Sequence, residues 1–258
     1  MMARRGVLEI LLAGATFAMT SGCRALNGGT PDFRYRFTVE IDTPEGLKSG
    51  SSVIEVSRPG YDSPTWRGQA AIIDLASRGK VFALLRANSD EWSDGVNWAL
   101  NTVGKAYFDS LSDEERAAYF KKSARARDGE MFSASGQVYT LPRHFMHAPD
   151  TGFRHKLGDT PSAYPMLVHF RDITDPKSVE KIEPDNMGAA LGSGVALRRI
   201  TVQLTDDDVT TGIEKVLPWW SRHRGIHFDG SLMSSEDMTS TKLTAHLSSG
   251  SFSTEYRK

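Results

Sequence analysis

The sequence predicts an α+β fold, mainly antiparallel β-sheet, with a helical insertion at about 92–127 and a short helix near 207–217. Three observations carry that prediction. Residues 33–42 alternate apolar and polar with a period of two, the mark of a strand with one face on a core. Further apolar runs come in succession rather than alternating with helices, which favours antiparallel pairing over a doubly wound sheet. Between them the spacing of apolar residues turns helical, and a helix-start motif appears.

The first strand is the clearest element. Phe33, Tyr35, Phe37, Val39 and Ile41 alternate with Arg34, Arg36, Thr38, Glu40 and Asp42. Thr43-Pro44-Glu45-Gly46 supplies a turn, with proline suited to its second position and glycine to its last. Ser51–Ser57, holding Val53, Ile54 and Val56, is the return strand, and the Pro-, Gly-, Asp- and Ser-rich 58–67 reads as a loop. Gln69–Leu75 and Lys80–Arg86 form a second apolar pair across Ala76-Ser77-Arg78-Gly79. Their runs Ala71-Ile72-Ile73 and Val81-Phe82-Ala83-Leu84-Leu85 read as central, largely buried strands. The first third is therefore expected to be one antiparallel meander.

In the helical insertion, Val96, Ala99, Leu100, Val103 and Tyr107 recur at helical spacing behind Trp92. Ser112-Asp113-Glu114-Glu115 is a capping box that opens a second helix running to about Arg127. Strand character resumes at Gln137–Leu141 and Met166–Arg171, and residues 172–177 turn the chain into Ser178–Glu183. Asn186–Leu191 reads as a helical turn capped by Asp185. Val195–Thr205 is a long strand with Ala196, Arg198, Ile200, Val202 and Leu204 on one face, reaching solvent at Arg198. Thr205-Asp206-Asp207-Asp208 is expected to cap a helix carrying Val209, Ile213, Val216, Leu217 and Trp220, with Pro218 ending its regular part. Lys242–Leu247 is the last expected strand, with a hairpin through Ser248-Ser249-Gly250 into Ser251–Glu255.

Composition excludes several classes. The chain has 258 residues, 39% of them hydrophobic, which is enough to bury a core without a disulfide or metal staple. A formal net charge of −1 argues against a dedicated nucleic-acid binder, so no nucleic-acid partner is expected. The single cysteine rules out a disulfide framework and any Cys-based zinc finger. No repeat recurs at a period of about 20 to 50 residues. No Pro/Ser-rich linker divides the body, and 33–258 reads as one α+β domain.

That cysteine stands in an informative place. Arg4 and Arg5 precede an apolar run from Val7 to Met19, blemished by Glu9 and followed by small residues, the layout of a secretory signal. The run has 13 residues, against the roughly 20 needed to span a bilayer. Cys23 follows Thr20-Ser21-Gly22 directly. This resembles the lipobox of bacterial lipoproteins, an aliphatic residue, a small residue, Gly or Ala, then Cys; Thr20 departs from the usual leucine. The resemblance implies that residues 1–22 are a signal peptide and that the Cys23 thiol receives a diacylglyceryl group. After cleavage its new amine would be acylated too. Only a thiolate is nucleophilic enough for the thioether step, and two or three chains anchor stably where one binds marginally. Residues 23–32, with Asn27-Gly28-Gly29-Thr30, would be the lipidated tether. Arg24 rather than Asp after the cysteine implies delivery to the outer membrane, facing the periplasm. The partner so implied is the membrane, through a lipid anchor.

Chemistry in the body is thinner. His144-Phe145-Met146-His147 with Asp150 would place two imidazoles and a carboxylate around a metal, although Pro142 and Pro149 leave room for barely one helical turn. His223 and His227, beside Trp219, Trp220 and Arg222, would make a stacking surface for a cofactor or glycan, against the plainer expectation that the indoles pack on the sheet. No Gly-x-Ser-x-Gly elbow occurs, which weighs against an α/β-hydrolase. Ser178-Val179-Glu180-Lys181 matches Ser-x-x-Lys without the companion motifs of penicillin-recognising enzymes. There is no Walker A loop, and Gly188, Gly192 and Gly194 do not form a dinucleotide fingerprint. Asp206–Asp208 lacks the spaced oxygens of an EF-hand loop. No motif names a cofactor.

Residues 43–56, 172–179 and 212–219 resemble segments of an uncharacterised proteobacterial protein family and together span most of the chain. That likeness implies a bacterial origin and one domain, with no activity attached. The leading expectation is a lipid-anchored cell-envelope protein, non-catalytic, acting as a binding or structural module. The alternatives are a periplasmic hydrolase or metal-dependent enzyme built on the histidines, and a soluble protein whose signal-like N-terminus is not processed.

Overall fold

Every odd residue of the first strand is buried and every even one is half-exposed, from Phe33 to Thr43. The computed structural model describes residues 32–57, 65–88, 98–119, 121–134, 136–144, 162–232 and 242–255. Among them lie nine strands: β1 (Phe33–Thr43), β2 (Gly46–Ser57), β3 (Thr65–Arg67), β4 (Ala71–Asp74), β5 (Lys80–Ala87), β6 (Val138–Thr140), β7 (Pro165–Phe170), β8 (Val179–Ile182) and β9 (Ala196–Leu204). The α-helices are α1 (Trp98–Ser110), α2 (Asp113–Tyr119), α3 (Ala124–Ser133), α4 (Met187–Leu191) and α5 (Ser249–Phe252). The fold is α+β with mainly antiparallel sheet.

The strands divide between two sheets, in the orders β3-β2-β1-β9-β6 and β4-β5-β7-β8. The expected single meander is thus two hairpins in different layers. β1 turns through Pro44-Glu45 into β2, with Phe33 opposite Val56 and Thr43 opposite Gly46. β4 pairs with β5, and β5 pairs in turn with β7. The layers approach most closely where β2 passes β4, and the Ser52 hydroxyl donates to the Gln69 carbonyl at 2.7 Å.

Two cores explain the two strand patterns. The first lies between the sheets and joins Tyr35, Phe37 and Val39 to Ile73, Val81 and Leu167. The second lies on the far face of the β4-β5-β7-β8 sheet, where Phe82, Leu84, Met166 and Val168 meet Leu217, Trp219, Phe228 and Phe252 from the C-terminal layer. A sheet covered on both faces needs apolar side chains on both, hence the continuous runs in β5 and β7. Gln69 fastens the outer layer, because its side-chain oxygen accepts the Ile213 amide at 2.9 Å.

The helical insertion closes one end of the sandwich. Trp98, Ala99, Leu100 and Val103 of α1 enter the first core, and the buried Tyr35 hydroxyl donates to the Ala99 carbonyl at 2.8 Å. Burial pushes that phenol well above its usual range. The capping box forms as expected: Ser112 N–H donates to Glu115 at 2.7 Å, and Glu115 N–H returns to the Ser112 hydroxyl at 3.3 Å. The second helix is shorter than expected. It stops at Tyr119, and Ser123 caps a third helix that runs to Ser133. Trp92 and Val96 lie outside the described residues.

Three other expectations are corrected. Asp185 does not cap α4; its carboxylate pairs with Arg143 at 3.1 Å. No α-helix forms at 207–217, where only a 3-10 turn at Ile213–Lys215 is helical. Its would-be start is tied to the sheet instead: Thr210 bonds Val53 through both hydroxyl and amide, at 2.8 and 3.1 Å, and Asp207 pairs with Arg36. The C-terminal hairpin is likewise absent. Leu243–Ala245 is a 3-10 turn and Ser249–Phe252 is α5, because Leu247 and Phe252 must reach the second core together. In β9 a register shift opposite Glu40/Ile41 leaves Ala196 exposed and packs Leu197 on the core, while Ile200, Val202 and Leu204 are buried as expected.

Candidate functional site

The outward residues of β1 build a charged ladder with their neighbours across the sheet. Arg34 faces Glu55 in register and donates to it at 2.8 Å. Arg67 approaches the other oxygen of Glu55 at 3.4 Å, so one carboxylate holds two guanidiniums. Farther along, Arg199 makes two bonds of 2.9 Å to Glu40, and Arg198 pairs with Asp42 at 2.8 Å. Those hydrogen bonds hold both guanidiniums further into their charged form.

Two clefts meet at Glu55. One, of about 340 Å³, lies against β3, with Ser57, Thr65, Trp66, Arg67 and Thr254 around it. The other, of about 250 Å³, runs past Phe33 and Arg34 to Thr205 and Asp206. Trp66 entered no sequence-level candidate set, because residues 58–67 read as an irregular loop. The signal that was available is the register: once the Pro44-Glu45 turn is placed, Arg34 and Glu55 must stand opposite on the wet face.

The tryptophan–histidine set lies elsewhere, in the second core. Trp219 is 1% exposed, with Phe228, Phe170 and His223 rings 5.0, 5.5 and 5.6 Å away, and its indole N–H donates to the Ile173 carbonyl at 3.1 Å. Trp220 is also buried and lies 6.2 Å from Trp219. The faces that would stack a ligand are occupied by neighbouring rings. The structure brings Trp219, Trp220 and His223 together, therefore, as packing partners. His227 is 3% exposed, and among the described residues neither of its ring nitrogens has a hydrogen-bond partner. The nearby Asp229 carboxylate accepts the Ser231 amide and hydroxyl at 2.9 and 2.7 Å, which lowers its pKa.

An imidazole buried with its hydrogen bonds unmade costs about 1–3 kcal/mol. His227→Leu, of similar volume, is expected to raise stability by about 1 kcal/mol, a gain of roughly 2–4 °C in Tm. Differential scanning calorimetry reads this directly, and a loss of the same size would show that the ring is bonded after all.

Among the described residues no three His, Cys, Asp or Glu side chains come together to hold a metal. His144 is exposed and bridges Ser162 through the backbone; His147, Asp150 and Cys23 lie outside the described residues. The Ser178 hydroxyl belongs to its turn, bonded to the Asp172 and Asp175 carbonyls at 2.8 and 2.7 Å. Asp207 and Asp208 answer Arg36 and Arg34. No described helix is long and apolar enough to cross a membrane. Compared with family models, curated proteins and solved structures, the chain matches none.

Proposed function

We propose that this is a lipid-anchored cell-envelope protein whose α+β body is a non-catalytic binding or structural module. The observation that carries the reading is Cys23 directly after Ser21-Gly22 at the end of the 13-residue apolar run. The body is consistent with it. Its serine, aspartate and tryptophan candidates are engaged in turns, ion pairs and core packing, and the open features are surface clefts. Residues 23–32 can span at most about 33–36 Å, so the body would stay close to the bilayer.

Metabolic labelling with an alkyne fatty acid tests this. The wild-type chain should take up label and fractionate with membranes, and Cys23→Ser should abolish both. Label persisting in Cys23→Ser, or its absence from the wild type, would overturn the anchor.

A further inference from the structure

We propose that β6 is where a second copy of this chain docks. The two β6 strands pair antiparallel about a twofold axis at Tyr139 and join two five-stranded sheets into one. The inference goes beyond the module reading and needs no lipid anchor.

Hydrogen-bond phase decides which groups are on offer. Among the described strands β6 pairs with β9 alone, with Val138 opposite Gln203, Tyr139 opposite Val202 and Thr140 opposite Thr201. The Leu141 amide donates to the Ile200 carbonyl at 2.8 Å, so Tyr139, two residues back, also turns its backbone toward β9. The other side of β9 gives the same phase. There the Thr205 amide donates to the Arg34 carbonyl at 3.1 Å, which leaves Leu204, Val202 and Ile200 facing β6. The N–H and C=O groups of Val138 and Thr140 therefore point away from the sheet, and no described backbone group bonds them. Open groups of this kind are a template for another strand.

Charge says which strand. The two sheets have four edges, and three of them carry charge: Arg67 in β3, Asp74 in β4, and Glu180 and Lys181 in β8. Charged side chains are a common guard against edge-to-edge pairing. Residues 136–142, Gly-Gln-Val-Tyr-Thr-Leu-Pro, have none. The outward residues of β9 beside them, Thr201 and Gln203, are neutral too. Val138 is 54% exposed and, like Thr140, β-branched, which suits a cross-strand contact. A copy of this segment meets no like charge on itself, whereas a copy of any other edge would.

Symmetry then selects the register. With the axis at Tyr139, Val138 of one copy faces Thr140 of the other, twice over. Each such pair exchanges two N–H···O=C bonds, so the outward groups of both strands are all matched. Moving the axis to Val138 sets Thr140 against Gly136, whose carbonyl already accepts from Gln203 at 3.0 Å. Moving it to Thr140 sets Val138 against Pro142, which has no amide to give. One strand pair buries less than the roughly 800 Å² per partner of a standard interface, so the dimer is reversible.

The test is disulfide trapping in the full chain, purified in detergent and carrying Cys23→Ser, which removes the only native thiol. With copper phenanthroline as oxidant, the added pair Val138→Cys and Thr140→Cys should yield a covalent dimer on a non-reducing gel. Either substitution alone places its thiols on a diagonal about 7–8 Å apart, too far to bridge, and should yield at most about a tenth as much. Sedimentation velocity gives a second reading. The Cys23→Ser chain should show a dimer that grows with concentration, and Val138→Lys should abolish it without lowering Tm. Leu47→Lys, at an exposed position far along the sheet, should dimerise like the parent. No trapped dimer from the double variant, equal trapping by the single ones, or a dimer undiminished by Val138→Lys would overturn the proposal. Because Cys23 is replaced throughout, the outcome is independent of the fatty-acid label, and a monomer here leaves the anchored module standing.

Discussion

Gly50→Ala is expected to destabilise the fold by about 3 kcal/mol, the upper range for forcing extra volume into a packed interior. Gly50 sits in β2 opposite Val39, where the two sheets come closest. A Cβ there would overlap the Ile72 carbonyl oxygen and lie 2.6 Å from its carbon and 3.0 Å from Ile73 Cγ1. The obstacle is backbone, and it belongs to a strand pair holding both cores. It cannot step aside as the end of a flexible side chain would. At roughly 2–4 °C per kcal/mol for a chain of this size, Tm should fall by about 6–12 °C. Thermal unfolding followed by far-UV circular dichroism gives the number. A shift below about 2 °C would mean that the sheets have slack at this corner.

Trp219→Ala should cost more, about 4 kcal/mol, within the range for emptying a buried aromatic site. The indole is almost wholly enclosed, touches Phe170, Phe228, Phe252 and His223, and satisfies its N–H at Ile173. Truncation loses the burial, opens a cavity and leaves the Ile173 carbonyl without that donor. Trp219→Phe should retain much of the packing and fall between wild type and alanine. Urea unfolding at constant m-value separates the three. If Trp219→Ala kept wild-type stability, the rings would not be a core, and a ligand surface at the tryptophans would regain its appeal.

How far the fold could be read in the sequence depended on how local each cause was. β1 and its hairpin were legible because alternation and a Pro-Glu turn act within a dozen residues. The Ser112–Glu115 capping box was legible for the same reason. Sheet membership was not. β1 and β5 both read as strands, and what separates them is one buried face against two, which depends on a C-terminal layer more than a hundred residues away. The aspartates at 206–208 carried a sound helix-start signal. Arg36 and the Val53 edge of β2, distant in sequence, outcompeted it. At the candidate site the histidines drew attention by residue type alone, whereas the clefts at Glu55 are assembled by strand register, β3 and the C-terminal segment together.

The β4-β5-β7-β8 sheet is one wall of both cores, and this makes them a single cooperative unit. If the C-terminal layer peels away, Phe82, Leu84, Met166 and Val168 lose their cover, and the same strands that hold Val81 and Leu167 against Tyr35 loosen. Damage at Trp219 is thus transmitted through one shared layer to the Tyr35–Ala99 bond on the opposite side of the molecule. The outer layer is in this sense a lock on the inner one, and the two halves of the protein should melt in one step rather than two.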